Sequence, residues 1–276
     1  VIEQNVMIRG QQIHVKMTGD ASLPIIVFLH GFTGSSSTWI EVMDRLKGRF
    51  KMVAVDLTGH GKTAAPSEPS RYTMEEQVKD LEELFSTLNL KTFSLVGYSM
   101  GGRIALAYTE TYPEHVQTLI LESASPGLKT EQERQARREA DLRLAHRITE
   151  QGIQQFVSFW ENIPLFESQK QMSTERQQKV GTERLAQREV GLSNSLIGIG
   201  TGSQPSLWDS IRTIRVPVLF VTGEIDKKFV NIAREMNALI PKAIHKTVKN
   251  AGHAIHVEKP TLFATMVGEH VKKQKI

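Results

Sequence analysis

The pentapeptide Gly97-Tyr98-Ser99-Met100-Gly101 constrains the fold more than any other stretch, because of what flanks it. FSLV, short and nearly all apolar, precedes it, and GRIALAYTETY, with the spacing of a helix, follows. A buried strand that turns into a helix within one residue needs glycine on both sides, because a Cβ there would collide with neighbouring backbone. The serine at the apex is then strained, with its hydroxyl exposed at the strand's end. G-x-S-x-G by itself is only moderately specific, and the strand-to-helix context adds most of its weight.

Other apolar, β-branched runs share the pattern of that strand: IIVFLHG at 25–31, MVAVDLTGHG at 52–61, TLILESA at 118–124 and VPVLFVTGEID at 216–226. Near-continuous hydrophobicity ended by turn residues marks strands covered on both faces, hence a parallel sheet. Between them lie helical patterns. The segment from Thr73 has apolar residues at Val78, Leu81, Leu84, Phe85 and Leu88, and opens on a Thr-x-x-Glu capping box at Thr73 and Glu76. The alternation stops after Pro126 and resumes near Val216. Residues rich in Arg, Gln and Glu intervene, reading as several helices with breaks at 161–166 and 200–206. The expected architecture is an α/β core of residues 1–126 and 206–276, a mostly parallel sheet flanked by helices, with 127–205 inserted as a helical cap.

Partners for Ser99 follow in the order acid, then histidine. Asp226 ends the strand-like run VPVLFVTGEID, and His253 sits in VKNAGHAIHVEKP beyond the strand-like AIHKTV. Both fall at carboxyl ends of expected strands, the edge at which open α/β sheets build their sites. His253 would take the Ser99 proton, and Asp226 would hold the imidazole tautomer and stabilise its cation. HGFTGS at 30–35 follows an early strand, so the backbone N–H of Phe32 could join that of Met100 as an oxyanion hole. Glu224 is a rival acid and His256 a rival base. His30 and His60 read as structural, each pinning a glycine loop.

No apolar run approaches the length of a membrane span, and the N-terminus lacks the plan of a signal peptide, so neither membrane association nor export is expected. The absence of cysteine excludes disulfides, a thiol nucleophile and a thiolate metal site, and suits the cytoplasm. A net charge of +4 is weak support for nucleic-acid binding without a matching motif. Much of the positive charge gathers at 129–147, where arginines and acids mix at helical spacing: a solvated ion-paired face or an anion-binding one.

The HG loop, DLTGHGKT, the serine elbow, GEIDKKF and AGHAIHVEKP together resemble the α/β-hydrolase fold family over essentially the whole chain. More narrowly, GYSMGGR, SASPGL, ERQAR, GTGSQPSLW, GEIDKKF and AGHAIHVEKP resemble the 2-succinyl-6-hydroxy-2,4-cyclohexadiene-1-carboxylate synthase family of menaquinone (vitamin K2) biosynthesis. Thr58 departs from the proline usual in DLTGHG, which bears on loop stiffness and leaves the chemistry untouched. The resemblance implies a lyase that eliminates pyruvate from 2-succinyl-5-enolpyruvyl-6-hydroxy-3-cyclohexene-1-carboxylate, without metal or cofactor. It implies a small polycarboxylate as substrate, with neither nucleic acid nor membrane as partner; monomer and homodimer both stay open.

That substrate gives Arg103 a purpose that serine chemistry does not. It lies four residues after Ser99, one turn along the same helix face, and its planar fork suits a carboxylate; otherwise it packs its stem on the sheet edge. By resemblance, Arg137, Trp160, Arg184 and Tyr98 are further substrate-binding positions. Arg137 could instead pair with Asp141 at i+4, Trp160 and Tyr98 could be core, and Arg188 could serve in place of Arg184. The rival functions are a capped serine hydrolase, either esterase or C–C bond hydrolase, and a non-catalytic ligand receptor on the same scaffold.

Overall fold

The apolar runs become the middle of one eight-stranded sheet, ordered β1-β2-β4-β3-β5-β6-β7-β8, in a computed structural model that describes residues 1–274. β1 (Ile2–Ile8) and β2 (Gln11–Thr18) form an antiparallel hairpin, and β2 pairs antiparallel with β4 (Lys51–Val55). Every later pairing is parallel, through β3 (Ile25–Leu29), β5 (Phe93–Tyr98), β6 (Val116–Glu122), β7 (Val218–Gly223) and β8 (Ala243–Val248).

Alternation along each central strand feeds two apolar layers. In β3, Val27 and Leu29 join one core while Ile26 and Phe28 join the other; in β5, Phe93 and Leu95 oppose Val96 and Tyr98. Each fully buried side chain of this size contributes about 1.5–3 kcal/mol relative to exposure, so neither layer could be left in water. Core helices α1 (Ile40–Leu46), α2 (Met74–Thr87), α3 (Met100–Thr111), α7 (Lys227–Leu239), the short α8 (Ile255–Glu258) and α9 (Pro260–Lys273) supply the covering faces.

Between β6 and β7 lie three helices, α4 (Glu131–Trp160), α5 (Thr174–Leu185) and α6 (Glu189–Ile199), with a 3-10 stretch at Pro164–Gln171. Two details here escaped the sequence reading. The reciprocal capping box forms at Thr130 and Glu133. At Thr73 only half of the expected box exists: Thr73 accepts from the Glu76 amide at 3.4 Å, while the Glu76 carboxylate turns to Arg9 at 2.7 Å and to Arg71. Two guanidinium partners outcompete one backbone amide for that carboxylate. The other detail is Gly152 (φ 82°, ψ 167°), which breaks α4; the freed Ile153 amide donates to Glu189 Oε1 at 2.9 Å, tying the break to α6.

Candidate active site

Ser99 occupies the turn between β5 and α3 at φ 49°, ψ −107°. Holding a serine at positive φ costs about 1–3 kcal/mol, and the neighbours show how it is enforced. A Cβ at Gly97 would lie 2.5 Å from the Gly101 carbonyl oxygen, and one at Gly101 would lie 2.4 Å from the carbonyl oxygens of Leu29 and His30. The Ser99 amide donates to the Glu122 carbonyl at 2.9 Å, fastening the turn to the end of β6.

The loops after β7 and β8 deliver the remaining groups. Asp226 precedes α7 and His253 follows β8. His253 Nδ1 lies 2.7 Å from Asp226 Oδ2, and its Nε2 lies 3.0 Å from Ser99 Oγ. With Nδ1–H donated to the carboxylate, Nε2 is free to accept the serine proton. Asp226 also accepts from the Phe229 amide at 3.3 Å, which anchors the carboxylate to the first turn of α7.

The rival groups are occupied elsewhere. Glu224 accepts from the Asn250 amide at 3.2 Å, away from the imidazole. His256 lies in a second hydroxyl–imidazole–carboxylate row, with Nδ1 3.0 Å from Glu122 Oε1 and Nε2 3.0 Å from Thr38 Oγ1, stacked on Trp39 at 4.4 Å. His30 donates from Nδ1 to the Gly31 carbonyl and accepts the Leu57 amide on Nε2, joining two glycine loops. His60 lies 3.2 Å from the Thr58 carbonyl. Burial lowers the pKa of both rings, His60 to about 3, so both are neutral at pH 7.

Ser99 and His253 open into a cavity of about 570 Å³. Phe32 and Met100 line it, and the Met100 amide belongs to the first turn of α3, whose N–H groups lack intrahelical acceptors. One wall is aromatic. The Trp160 ring lies 5.5 Å from Phe32 and 5.7 Å from Phe166, and its buried Nε1 has no hydrogen-bond partner among the described residues. Arg103 and Arg137 line the same cavity.

Arg103 is buried, and Nη1 donates to the Ile199 carbonyl at 2.8 Å and to Gln204 Oε1 at 2.7 Å. Burial pulls its pKa down to about 10, with the Arg137 cation acting in the same direction, yet it remains charged at pH 7. Arg137 Nε pairs with Asp141 at 2.7 Å, as the i+4 spacing allowed, and the residue also lines the cavity.

Tyr98 lies between two imidazoles, its ring 5.4 Å from His253 and 4.6 Å from His256, and burial beside Glu122 raises its pKa well above the ordinary phenol range. Arg184 stands apart from the main cavity. It is buried behind Phe166, its guanidinium 4.6 Å from that ring and 3.0 Å from Gln169 Oε1, and it lines a small hollow shared with Tyr98. Arg188 binds the carbonyls of Thr63 and Gly61, which removes it from either cavity. Sequence reasoning missed Gln204, Phe166 and Phe229. The first lies within the GTGSQPS break and had no signal beyond its turn; the aromatics converge on the cavity only through the tertiary fold. Glu122 was legible, as a carboxylate ending an otherwise apolar strand.

Comparison with known proteins places this geometry. Residues 24–260 match the family model described as alpha/beta hydrolase fold. A provisionally named 2-succinyl-6-hydroxy-2,4-cyclohexadiene-1-carboxylate synthase of Bacillus subtilis (strain 168) is 44% identical over 94% of each chain. The synthase of that name from Enterobacter sp. (strain 638) is 33% identical over 91% of this chain and 93% of its own. Among solved structures, MenH from S. aureus superposes with a TM-score of 0.91 at 34% identity, covering 95% of this chain and 99% of the other. An enol-lactonase from Burkholderia xenovorans LB400, at 19% identity and TM-score 0.85, shares the fold.

Proposed function

The chain belongs to the alpha/beta hydrolase fold family and, within it, to the family of the 2-succinyl-6-hydroxy-2,4-cyclohexadiene-1-carboxylate synthases, and we propose that it is the lyase of menaquinone biosynthesis that eliminates pyruvate from 2-succinyl-5-enolpyruvyl-6-hydroxy-3-cyclohexene-1-carboxylate. The observation that carries this reading is the pairing, around one cavity, of a serine–histidine base with two arginines. A neutral ester needs no such pair of cations. A polycarboxylate does, because its charges would otherwise enter a partly dry pocket unpaired. The mutual repulsion of Arg103 and Arg137 would be relieved by a carboxylate held between them.

Ser99, activated by His253 and Asp226, removes the ring proton next to the succinyl ketone. The ketone oxygen becomes an enolate, which the Phe32 and Met100 amides stabilise where charge develops. Electrons then pass through the ring alkene to the carbon bearing the enolpyruvyl group, that C–O bond breaks, and the departing enolate takes up the proton left on His253 to become pyruvate. No water attacks and no acyl-enzyme forms. Trp160 offers its free indole N–H to the substrate from the aromatic wall. Tyr98 packs beside the imidazole, and Arg184 acts at one remove, steadying Phe166 and Tyr98. Residues 127–205 serve as the cap over this cavity, and we assign the reaction to the cytoplasm.

A coupled pyruvate assay on the enolpyruvyl substrate, run beside a panel of short-chain esters, tests the reading. Rapid pyruvate release with slow ester turnover is expected. Fast ester hydrolysis with a trapped Ser99 adduct and no pyruvate would make the chain a capped serine hydrolase, and inactivity on both with tight ligand binding would make it a receptor.

A further inference from the structure

A second cavity, of about 430 Å³, lies between β2, the loops after β3 and β4, and helix α5. It shares no lining residue with the main cavity. Its floor follows from the alternation of β2: Ile13 and Val15 enter the core, so His14 and Lys16 face the other way. Both are nonetheless 7% exposed or less. Lys16 is already paired with Glu3 and His14 Nδ1 with Asn5, so the buried polar atom of this pair left without a partner among the described residues is His14 Nε2.

The polar groups fall into two sets. The donors are Lys16 and Lys62, both held from the outer side by Glu3, and Lys179 on α5, which has no ion pair among the described residues. The acceptors are His14, Asp56 and Glu183. His14 Nδ1 lies 2.8 Å from Asn5 Oδ1, and with that bond donated Nε2 becomes an acceptor without a hydrogen-bond partner among the described residues. Glu3, its nearest carboxylate, is 3.6 Å from Nε2. Asp56 accepts the amides of Ser36 at 2.5 Å and Lys62 at 2.8 Å, and Glu183 accepts Ser35 Oγ at 2.5 Å; each carboxylate keeps lone pairs to spare.

A fully deprotonated anion would satisfy the lysines and be repelled by the acceptors. An oxyanion that still carries one proton satisfies both sets, with P–O⁻ toward the lysines and P–OH toward an acceptor. We propose that this second cavity binds monohydrogen phosphate, bridging β2 of the core to α5 of the helical insertion. The bridge would add a fastener close to the Phe32 loop, since Ser35 and Ser37 at the cavity wall continue that loop. This inference is independent of the reading of the main cavity.

Calorimetric titration of the whole chain near neutral pH with inorganic phosphate, and separately with sulfate, which has the same shape and no proton, tests it. Saturable phosphate binding is expected, at least about tenfold tighter than sulfate. Lys16→Met and Lys179→Gln should each weaken phosphate about tenfold, and Arg103→Ala should leave it unchanged. Lys179 is exposed, so its variant stays informative if Lys16→Met does not fold. Equal affinity for the two anions, unchanged binding in Lys179→Gln, loss of binding in Arg103→Ala, or no saturation would each overturn the proposal.

Discussion

Two hydroxyl–imidazole–carboxylate rows stand side by side in this molecule, their histidines three residues apart. Ser99–His253–Asp226 and Thr38–His256–Glu122 have hydrogen bonds of similar length. They differ in surroundings. The first ends on a strained serine that opens into a large cavity beside a helix N-terminus. The second is packed among Trp39, Tyr98 and Phe263, and its hydroxyl reaches only a hollow of about 40 Å³. The contrast teaches that hydrogen-bond geometry alone does not make a base: access to substrate and amides aimed at the developing charge are needed too. The buried row instead braces the turn at Ser99, because Glu122 holds Ser99 through its carbonyl and the His256 amide and ring through its side chain.

That contrast can be broken by mutation. Ser99→Ala should lower pyruvate release on the order of 10³-fold or more, whereas Thr38→Val should leave kcat within about twofold. Similar losses in both would erase the distinction between the rows. Arg103→Ala comes next: elimination should fall roughly 10²-fold in kcat/KM, with hydrolysis of a neutral p-nitrophenyl ester changed far less. Equal losses would show a structural arginine, whose bonds to Ile199 and Gln204 merely hold the end of α6 and the segment after it against α3.

In the buried row the damage should appear in stability. His256→Gln leaves the Glu122 carboxylate buried with a poorer partner, and urea unfolding should report a loss of about 3 kcal/mol with kcat largely retained at low temperature. A large fall in kcat without destabilisation would make His256 part of the chemistry.

Histidines without any carboxylate partner sharpen the comparison through pH. The unfolded chain protonates histidine near 6.5, but folded His60 resists until about 3 and His30 is shifted the same way. The unfolded state therefore binds more protons in that window. Stability should be complete above about pH 6.5 and fall as the pH drops toward 3, and His60→Leu should flatten the decline in the urea midpoint. The smallest effect belongs to Glu224→Gln, which should leave turnover within about twofold in the pyruvate assay; a loss comparable to Asp226→Asn would reinstate it as the acid.

Much of this was legible in the chain itself. The strands at Ile25–Leu29, Phe93–Tyr98 and Val218–Gly223 lie within the runs that announce them, because burial on both faces demands near-continuous apolar sequence and glycine or polar residues end it. Ser99, Asp226 and His253 could be picked out because each falls in the turn or loop after a strand-like run, and a parallel sheet brings the carboxyl ends of its strands to one edge. Gly152 and the half-formed box at Thr73 were not legible. The break is tied to a distant glutamate, and the box was decided by Arg9 arriving from another strand.

Sequence periodicity therefore determined the sheet, the strained turn and the order of the reactive groups, all of which depend on contacts within a few residues or on one repeating topology. It could not choose between Arg184 and Arg188, one helical turn apart, nor say that Arg103 would be pinned by Ile199 and Gln204. Those outcomes were left to the tertiary structure, because a long side chain on a helix reaches either of two neighbours at equal local cost, and only packing against distant segments decides which one it meets.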